Sequence, residues 1–345
     1  MREMKAYKGF NKDMTCIGLQ YKEGVEYETD HAKVCKGGFH ACENPLDCLN
    51  YYAPNQSVYH EVEVNGDVDY GGYDTKVSAT KIKIGARLSI AGIVKGAIGF
   101  VMNKASPMSG DGAHSTTSGY MARSATSSDR AHSVTSGTMA RSATSGDCAR
   151  SATSGDRAHS ATSGDGAHSA TSGHGAHSAT CGDWAHSATS GDWAHSTTSG
   201  YMAHSATSGD WAHSATSGDG AHSVTYGTMA HSATSGNGAH SATSGNGAHS
   251  ATSGDWAHSV TSGYGANSAT SGDRAHSEVH GKDSIAAVLG KDCKARGGLG
   301  CWLVLTERYV DHHILGVQAV CIDGDKYKPD TWYTLKDGKV VEAVE

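Results

Sequence analysis

Large apolar residues are scarce in this chain. Of its 345 residues only 3 are Phe and 4 are Pro, and much of the 37% hydrophobic fraction is alanine. A chain so poor in Leu, Ile and Phe cannot bury a large conventional core along its whole length. Backbone ladders between stacked repeats are the expected substitute. A basic excess is missing too. The formal charge of −7 argues against nucleic acid and other polyanions as partners, because proteins that bind them carry clustered Lys and Arg. The 22 histidines add positive charge only below their ordinary pKa of about 6.5. No CxxC occurs among the nine cysteines (Cys16, Cys35, Cys42, Cys48, Cys148, Cys181, Cys293, Cys301, Cys321), an odd set. No apolar run is long enough to span a membrane, and the opening MREMKAYKGF has no apolar signal region. The expectation is a soluble intracellular protein with reduced thiols. Nucleophile elbow, phosphate-binding loop and dinucleotide fingerprint are all absent from the sequence. Neither an enzyme nor a cofactor is expected.

What the chain has instead is repetition. From Ala113 to Ala275 every ninth residue starts a copy of Ala-His-Ser-Ala-Thr-Ser-Gly-Asp-X, 19 copies in all. Position 1 is always Ala and position 3 always Ser; position 5 is Thr except at Val279, and position 7 is Gly except at Ser128. Position 2 is His in 15 copies, Arg in three (Arg123, Arg141, Arg150) and Asn267 in one. Position 9 varies among Trp, Met, Arg, Gly and Cys, with Asp283 in the last copy. Side chains alternate faces along a strand, so positions 1, 3 and 5 share one face and 2, 4 and 6 the other. The small invariant set belongs inside, where two sheets lie close. Imidazoles cannot be packed by the dozen into a thin core and must point out. Gly at position 7 suits a corner of positive φ, with Asp or Asn beside it as a turn residue. One nonapeptide would close a perimeter of about 30 Å with almost no interior. Two per coil is the workable solution, giving roughly nine or ten coils that rise about 4.8 Å each over a rod of about 45 Å.

The fold expected is therefore mainly β: a repeat β-solenoid with two nonapeptides per coil, a small α+β N-terminal domain and a β-rich C-terminal cap. Residues 1–104 form the first part, with strands at Ala6–Phe10, Val58–Val64 and Lys76–Ile84. Asn44 caps a helix whose first turn holds Pro45 and which continues through Cys48 to Tyr51. A second helix near 88–103, with Ile90, Ile93, Val94, Ile98 and Val101 at helical spacing, is expected to cover the open end of the solenoid. Pro107 marks the boundary, and the array fills 105–283. Over 284–345 the frame drifts to larger apolar residues, as a terminal unit closing a repeat core should. Strands at Trp302–Thr306 and Val317–Ile322 follow, then Trp332–Val341 folded as a hairpin at Asp337-Gly338.

Candidate binding residues lie on the outer surface of the array. Trp184, Trp193, Trp211 and Trp256 stand at position 9 and Tyr120, Tyr201 and Tyr264 at position 8, where aromatic rings along a scaffold can stack on sugars or bases. His186, His195, His204 and His213 belong to ladders of position-2 imidazoles. No metal is expected there: ladder spacing is wider than the gap between two nitrogens on one zinc. The plain alternative is a solvated polar face, whose stacked imidazoles should have depressed pKa values through mutual repulsion. Gly-Asp at each turn resembles the calcium β-roll unit, yet only one glycine per copy is present and Tyr120, Thr138, His174 and Tyr201 replace Asp. Ser-x-Thr rows resemble ice-nucleation repeats in composition, but ice binding needs those hydroxyls outside. Arg123, Arg130, Arg141, Arg150 and Arg157, interleaved with Asp129, Asp147 and Asp156, read as a neutralised surface. Cys35, His40, Cys42 and Cys48 form a loose group that fits buried thiols better than a zinc ribbon.

Two stretches outside the array, Met4-Lys5-Ala6-Tyr7-Lys8-Gly9-Phe10 and Gly38-Phe39-His40-Ala41-Cys42-Glu43-Asn44-Pro45-Leu46-Asp47, resemble an uncharacterised domain of phages and prophages of gut bacteria. There the domain often precedes an Ala/Gly/Thr-rich array. The tail Asp330-Thr331-Trp332-Tyr333 with Lys336-Asp337-Gly338-Lys339 is similar to the ends of the same proteins. The resemblance implies phage or prophage origin, in the cytoplasm of an infected or lysogenic bacterium or in the virion, and brings no activity. The function expected is a non-enzymatic binding or structural scaffold for a host or virion protein or a small ligand. The alternatives are an enzyme or modifier housed in 1–104 with the array as spacer, and an ice- or calcium-binding repeat protein.

Overall fold

Strands form where the sequence is richest in β-branched and aromatic residues or repeats its frame. The structure, a computed structural model, describes residues 4–54, 56–71, 74–104, 108–109 and 112–343, so Pro107, the expected boundary, lies outside them. The described chain is 53% strand and 6% helix, with a β-solenoid of about 11 turns between residues 114 and 305 behind a small α+β domain. The solenoid has more turns than the nine or ten expected, because the drifted units after Asp283 still form strands that pair with it. By contacts the chain falls into two compact units, Met1–Ser169 with Ala179–Cys181, and Ala170–Ser178 with Gly182–Glu345.

In the first unit, β1 (Met4–Asn11), β2 (Glu26–Glu28), β3 (Phe39–Cys42), β4 (Ser57–Tyr70) and β5 (Lys76–Leu88) make one antiparallel sheet in the order β2-β5-β3-β1-β4. β5 also pairs with β4, so the sheet closes into a small barrel around Phe10, Val62, Val64, Val77, Ile82 and Ile84. Asn44 caps a 3₁₀ helix, Pro45–Asn50, its side-chain oxygen accepting the Leu46 N–H at 3.3 Å. The second helix, α1 (Ile90–Lys104), corrects the expectation of an end cap. Val101 packs with Ala125 and Ala143, and Ile93, Val94 and Ala97 with Ala161, Ala179 and Cys181. Those alanines sit on successive strands of one sheet, so the helix covers a face of the coils. Alanine at position 4 lets the helix approach closely.

Array strands in this unit stack in parallel and in register. Arg123 lies opposite Arg141 and Arg141 opposite His159 in one sheet, His114 opposite His132 and His132 opposite Arg150 in the other. Pairing of each residue with the one 18 positions on is the signature of two nonapeptides per coil. In the second unit the same register runs from His195 to Ile285 in one sheet and from His186 to Lys294 in the other.

Position-1 alanines from Ala131 onward have no exposed surface, and nearly all the position-3 serines and position-5 threonines are buried, as parity requires. The two sheets lie so close that serines nine residues apart meet across the interior. Ser205 Oγ donates to Ser196 Oγ, Ser214 to Ser205 and Ser223 to Ser214, each at 2.8 Å. Each hydroxyl gives one bond and takes one. Gly200, with φ of +145°, shows why position 7 is glycine: a Cβ there would stand 1.9 Å from the Gly182 carbonyl oxygen one coil away. Asp and Asn at position 8 accept the position-8 N–H of the next coil, as Asp210 Oδ1 does from Thr228 N at 2.9 Å.

Larger residues close the last coils. Val279, Val288, Leu303, Leu305, Ile322 and Tyr333 form one buried cluster. Trp302–Arg308 pairs in parallel with Ile285–Val288 and antiparallel with Ile314–Cys321, and Tyr333–Lys336 with Lys339–Glu342 makes the hairpin. At position 1, Ser284 and Cys293 replace Ala and donate to the carbonyls of Gly263 and Gly272 at 3.0 and 3.1 Å.

Candidate functional site

Backbone geometry at the corners decides what position 9 means. Trp184, Trp193, Met202, Trp211, Met229 and Trp256 all have φ between +52° and +61°, the left-handed region, and Gly220, Gly238, Gly247 and Gly265 have φ of +63° to +66° in the same role. A non-glycine residue there costs roughly 1 kcal/mol relative to glycine. The position-9 N–H joins the coil-to-coil ladder whatever side chain it carries: Trp193 donates to Asp210 O and Gly220 to Asn237 O. The fold therefore accepts glycine at position 9 and does not require tryptophan there.

The 18-residue coil sorts the candidate residues onto different edges. Trp193 and Trp211 share one edge and stack at 5.3 Å with 4° between planes. Trp184 and Trp256 lie on the other. Trp184 meets Tyr201 edge-on at 6.2 Å, and the Arg274 guanidinium lies 4.9 Å from the Trp256 ring centre. At Gly238, one coil before Trp256, a Cβ would meet nothing within 4 Å. Trp184, Trp193, Trp211 and Trp256 are 41–54% exposed, and Tyr120, Tyr201 and Tyr264 are exposed as well.

The histidines form two ladders. His177, His195, His213, His231 and His249 stack in one sheet and His186, His204, His222, His240 and His258 in the other, at 4.7–4.9 Å. Depressed pKa values were expected from repulsion between rings. Burial is the larger cause, with the neighbouring imidazole second: it holds His195 well below its ordinary value, His213 at about 4, and His204, His231 and His240 below 6.5. Among the described residues no cluster of three or more His, Cys, Asp or Glu could hold a metal ion.

Two expectations need correction where α1 and the 3₁₀ helix cover the array. His159, beside Asp47, and His177 are both buried rather than solvated. Arg141 is not part of a neutralised surface. It is 3% exposed, and its Nη2 binds Asp47 Oδ2 at 3.0 Å, with Asp47 wholly buried. Asp47 also accepts the Thr75 N–H at 2.9 Å and the Asn44 amide at 3.3 Å, and His159 Nε2 stands 3.6 Å away. In the loose Cys/His group, His40 Nε2 accepts the Cys35 N–H at 2.9 Å and Cys48 Sγ donates to Tyr7 O at 3.3 Å. Cys42 and Cys48 are buried, whereas Cys35 is exposed. The bond from Cys48, followed by burial, pushes the Cys42 thiol well up.

The profile of a domain of unknown function (DUF7666) matches residues 4–96. Those residues hold the barrel, the 3₁₀ helix with Asp47 and the start of α1. No curated protein and no solved structure matches the chain.

Proposed function

We propose that the chain is a non-enzymatic binding scaffold of phage or prophage origin, whose corner rows present aromatic rings to a partner. The observation that carries this is tryptophan in a strained corner conformation that glycine occupies freely elsewhere in the same rows. Exposed side chains that the fold does not need, at positions that vary between copies, are what a recognition surface requires. The ring faces suit the C–H faces of sugars or planar, weakly charged groups, since a chain of formal charge −7 repels polyanions. The origin rests on the resemblance of the Met4–Phe10 and Gly38–Asp47 stretches. The buried Ser and Thr rows weigh against an ice-binding surface. Position-8 carboxylates already engaged by backbone N–H groups weigh against calcium loading.

The test is a panel of oligosaccharides and a host-lysate pull-down. Both compare the full chain with a variant carrying Trp184→Gly, Trp193→Gly, Trp211→Gly and Trp256→Gly. Loss of at least tenfold in affinity for the captured ligand, with folding intact, is expected. A variant that keeps the same ligands at the same affinity overturns the proposal.

A further inference from the structure

The barrel carries a cleft whose charge runs against that of the chain. It has a volume of about 770 Å³, within the range of small-molecule sites. Three lysines line it (Lys8, Lys36 and Lys76), with the rings of Tyr21, Tyr51 and Tyr52, and no Asp or Glu does. Lys8 is the unusual member. It is only 5% exposed. Its Nζ donates to the His40 carbonyl at 2.8 Å and lies 5.5 and 5.7 Å from the ring centres of Phe10 and Tyr21. An ammonium has three donors, and among the described residues no carboxylate stands within ion-pair distance of this one. A buried charge without a counter-ion costs several kcal/mol, which a fold tolerates where an anion completes the site. Lys76 lies 4.2 Å from the Tyr51 ring centre, a second cation set on an aromatic face of the same cleft.

We infer that this cleft binds a small phosphorylated ligand with a planar ring, of mononucleotide size. The phosphate pairs with Lys8 and the ring lies among the tyrosines. Three ammonium groups call for more than one negative charge. A phosphate monoester, at about −1.5 to −2 near pH 7, supplies it where a lone carboxylate does not. The site is independent of the corner tryptophans, and neither reading stands or falls with the other.

Calorimetric titration of the full chain with AMP, inorganic phosphate and adenosine tests it. AMP is expected to bind, phosphate to bind more weakly and compete with AMP, and adenosine to bind at least tenfold more weakly than AMP. Lys8→Met should cost at least tenfold in AMP affinity. Lys76→Glu, on the accessible rim, should cost several-fold with the melting temperature unchanged, and it decides the matter if Lys8→Met does not fold. The four-tryptophan variant should bind AMP as the parent does. No AMP binding at millimolar concentration, adenosine binding as tightly as AMP, or parental affinity in Lys76→Glu would each overturn the inference.

Discussion

The barrel and the array hold β-strands together with opposite materials. In the barrel a few large side chains (Phe10, Val62, Val64, Ile82 and Ile84) are wholly buried, and removal of apolar area from water does most of the work. In the array the buried side chains are Ala, Ser and Thr, and what repeats is hydrogen bonding: a parallel ladder in each sheet and a serine hydroxyl chain between them. Stability is concentrated in the first and spread over nearest-neighbour contacts in the second. The difference teaches where each is vulnerable. A barrel is hurt by what is taken out, a thin solenoid by what is put in or by charge brought to its surface.

Acid separates the two most strongly. The folded pKa of each affected ladder histidine lies below its unfolded value, so the unfolded array takes up protons first. Its stability is complete above about pH 6.5 and is lost as pH falls towards the folded values, about 4 for His213 and His276. At about 1.4 kcal/mol per unit, the shift of His213 from 6.5 to about 4 alone is on the order of 3 kcal/mol. His195, His204, His231 and His240 act in the same direction. Amide hydrogen exchange, corrected for its intrinsic rate, should show array protection falling steeply between pH 7 and pH 4.5 while the protection of β4 and β5 changes far less. Equal losses in both regions would break the comparison.

Arg141→Ala comes next, because it takes a charge out of a buried ion pair between the array and Asp47. Asp47 would stay buried with only the Thr75 and Asn44 donors and His159 nearby. Breaking a buried pair by removing one partner costs about 3–5 kcal/mol. Urea unfolding measures it. Arg150→Ala, on the exposed strand of the other sheet, is the control and should cost less than about 0.5 kcal/mol.

The contrast between Arg141 and Arg150 marks the limit of legibility in the sequence. Period, parity and two repeats per coil followed from Ser and Ala recurring without exception, since 19 copies serve as their own alignment. The covered face did not, because Asp47 and Arg141 are 94 positions apart and nothing local joins them. Arg at position 2 was visible at three places, but only Arg123 and Arg141 lie under the helices. The left-handed corner was legible and missed. Gly166, Gly175, Gly220, Gly238, Gly247 and Gly265 at position 9 signal it, while the bulk of the tryptophans points attention elsewhere. Lys8, Lys36 and Lys76 line one cleft because β3 pairs with both β1 and β5, a sheet order that short strand patterns do not encode.

Gly200→Ala measures what the array loses when one methyl is added. The new Cβ would overlap the Gly182 carbonyl at 1.9 Å and φ would stay near +145°. Strain and overlap together cost about 3 kcal/mol. Ile82→Ala in the barrel should cost a similar 2–5 kcal/mol by the opposite route, a cavity. Hydrogen exchange sharpens the contrast: loss of protection should stay with the coils next to Gly200 but spread through the barrel around Ile82. A global loss in both would show that the array unfolds as one cooperative body.

Trp193→Gly is expected to change stability least. The substitution relieves a left-handed non-glycine residue, worth roughly 1 kcal/mol, and gives up a stack on Trp211 worth roughly 0.5–1.5 kcal/mol. The two nearly cancel, so the midpoint of urea unfolding should move by less than about 1 kcal/mol in either direction. Met202→Gly, without a stacked partner ring, should leave only the relief and stabilise slightly. If Trp193→Gly instead cost 3 kcal/mol, the corner indoles would be structural, and the division between an interior that builds the array and corners that serve a partner would fail.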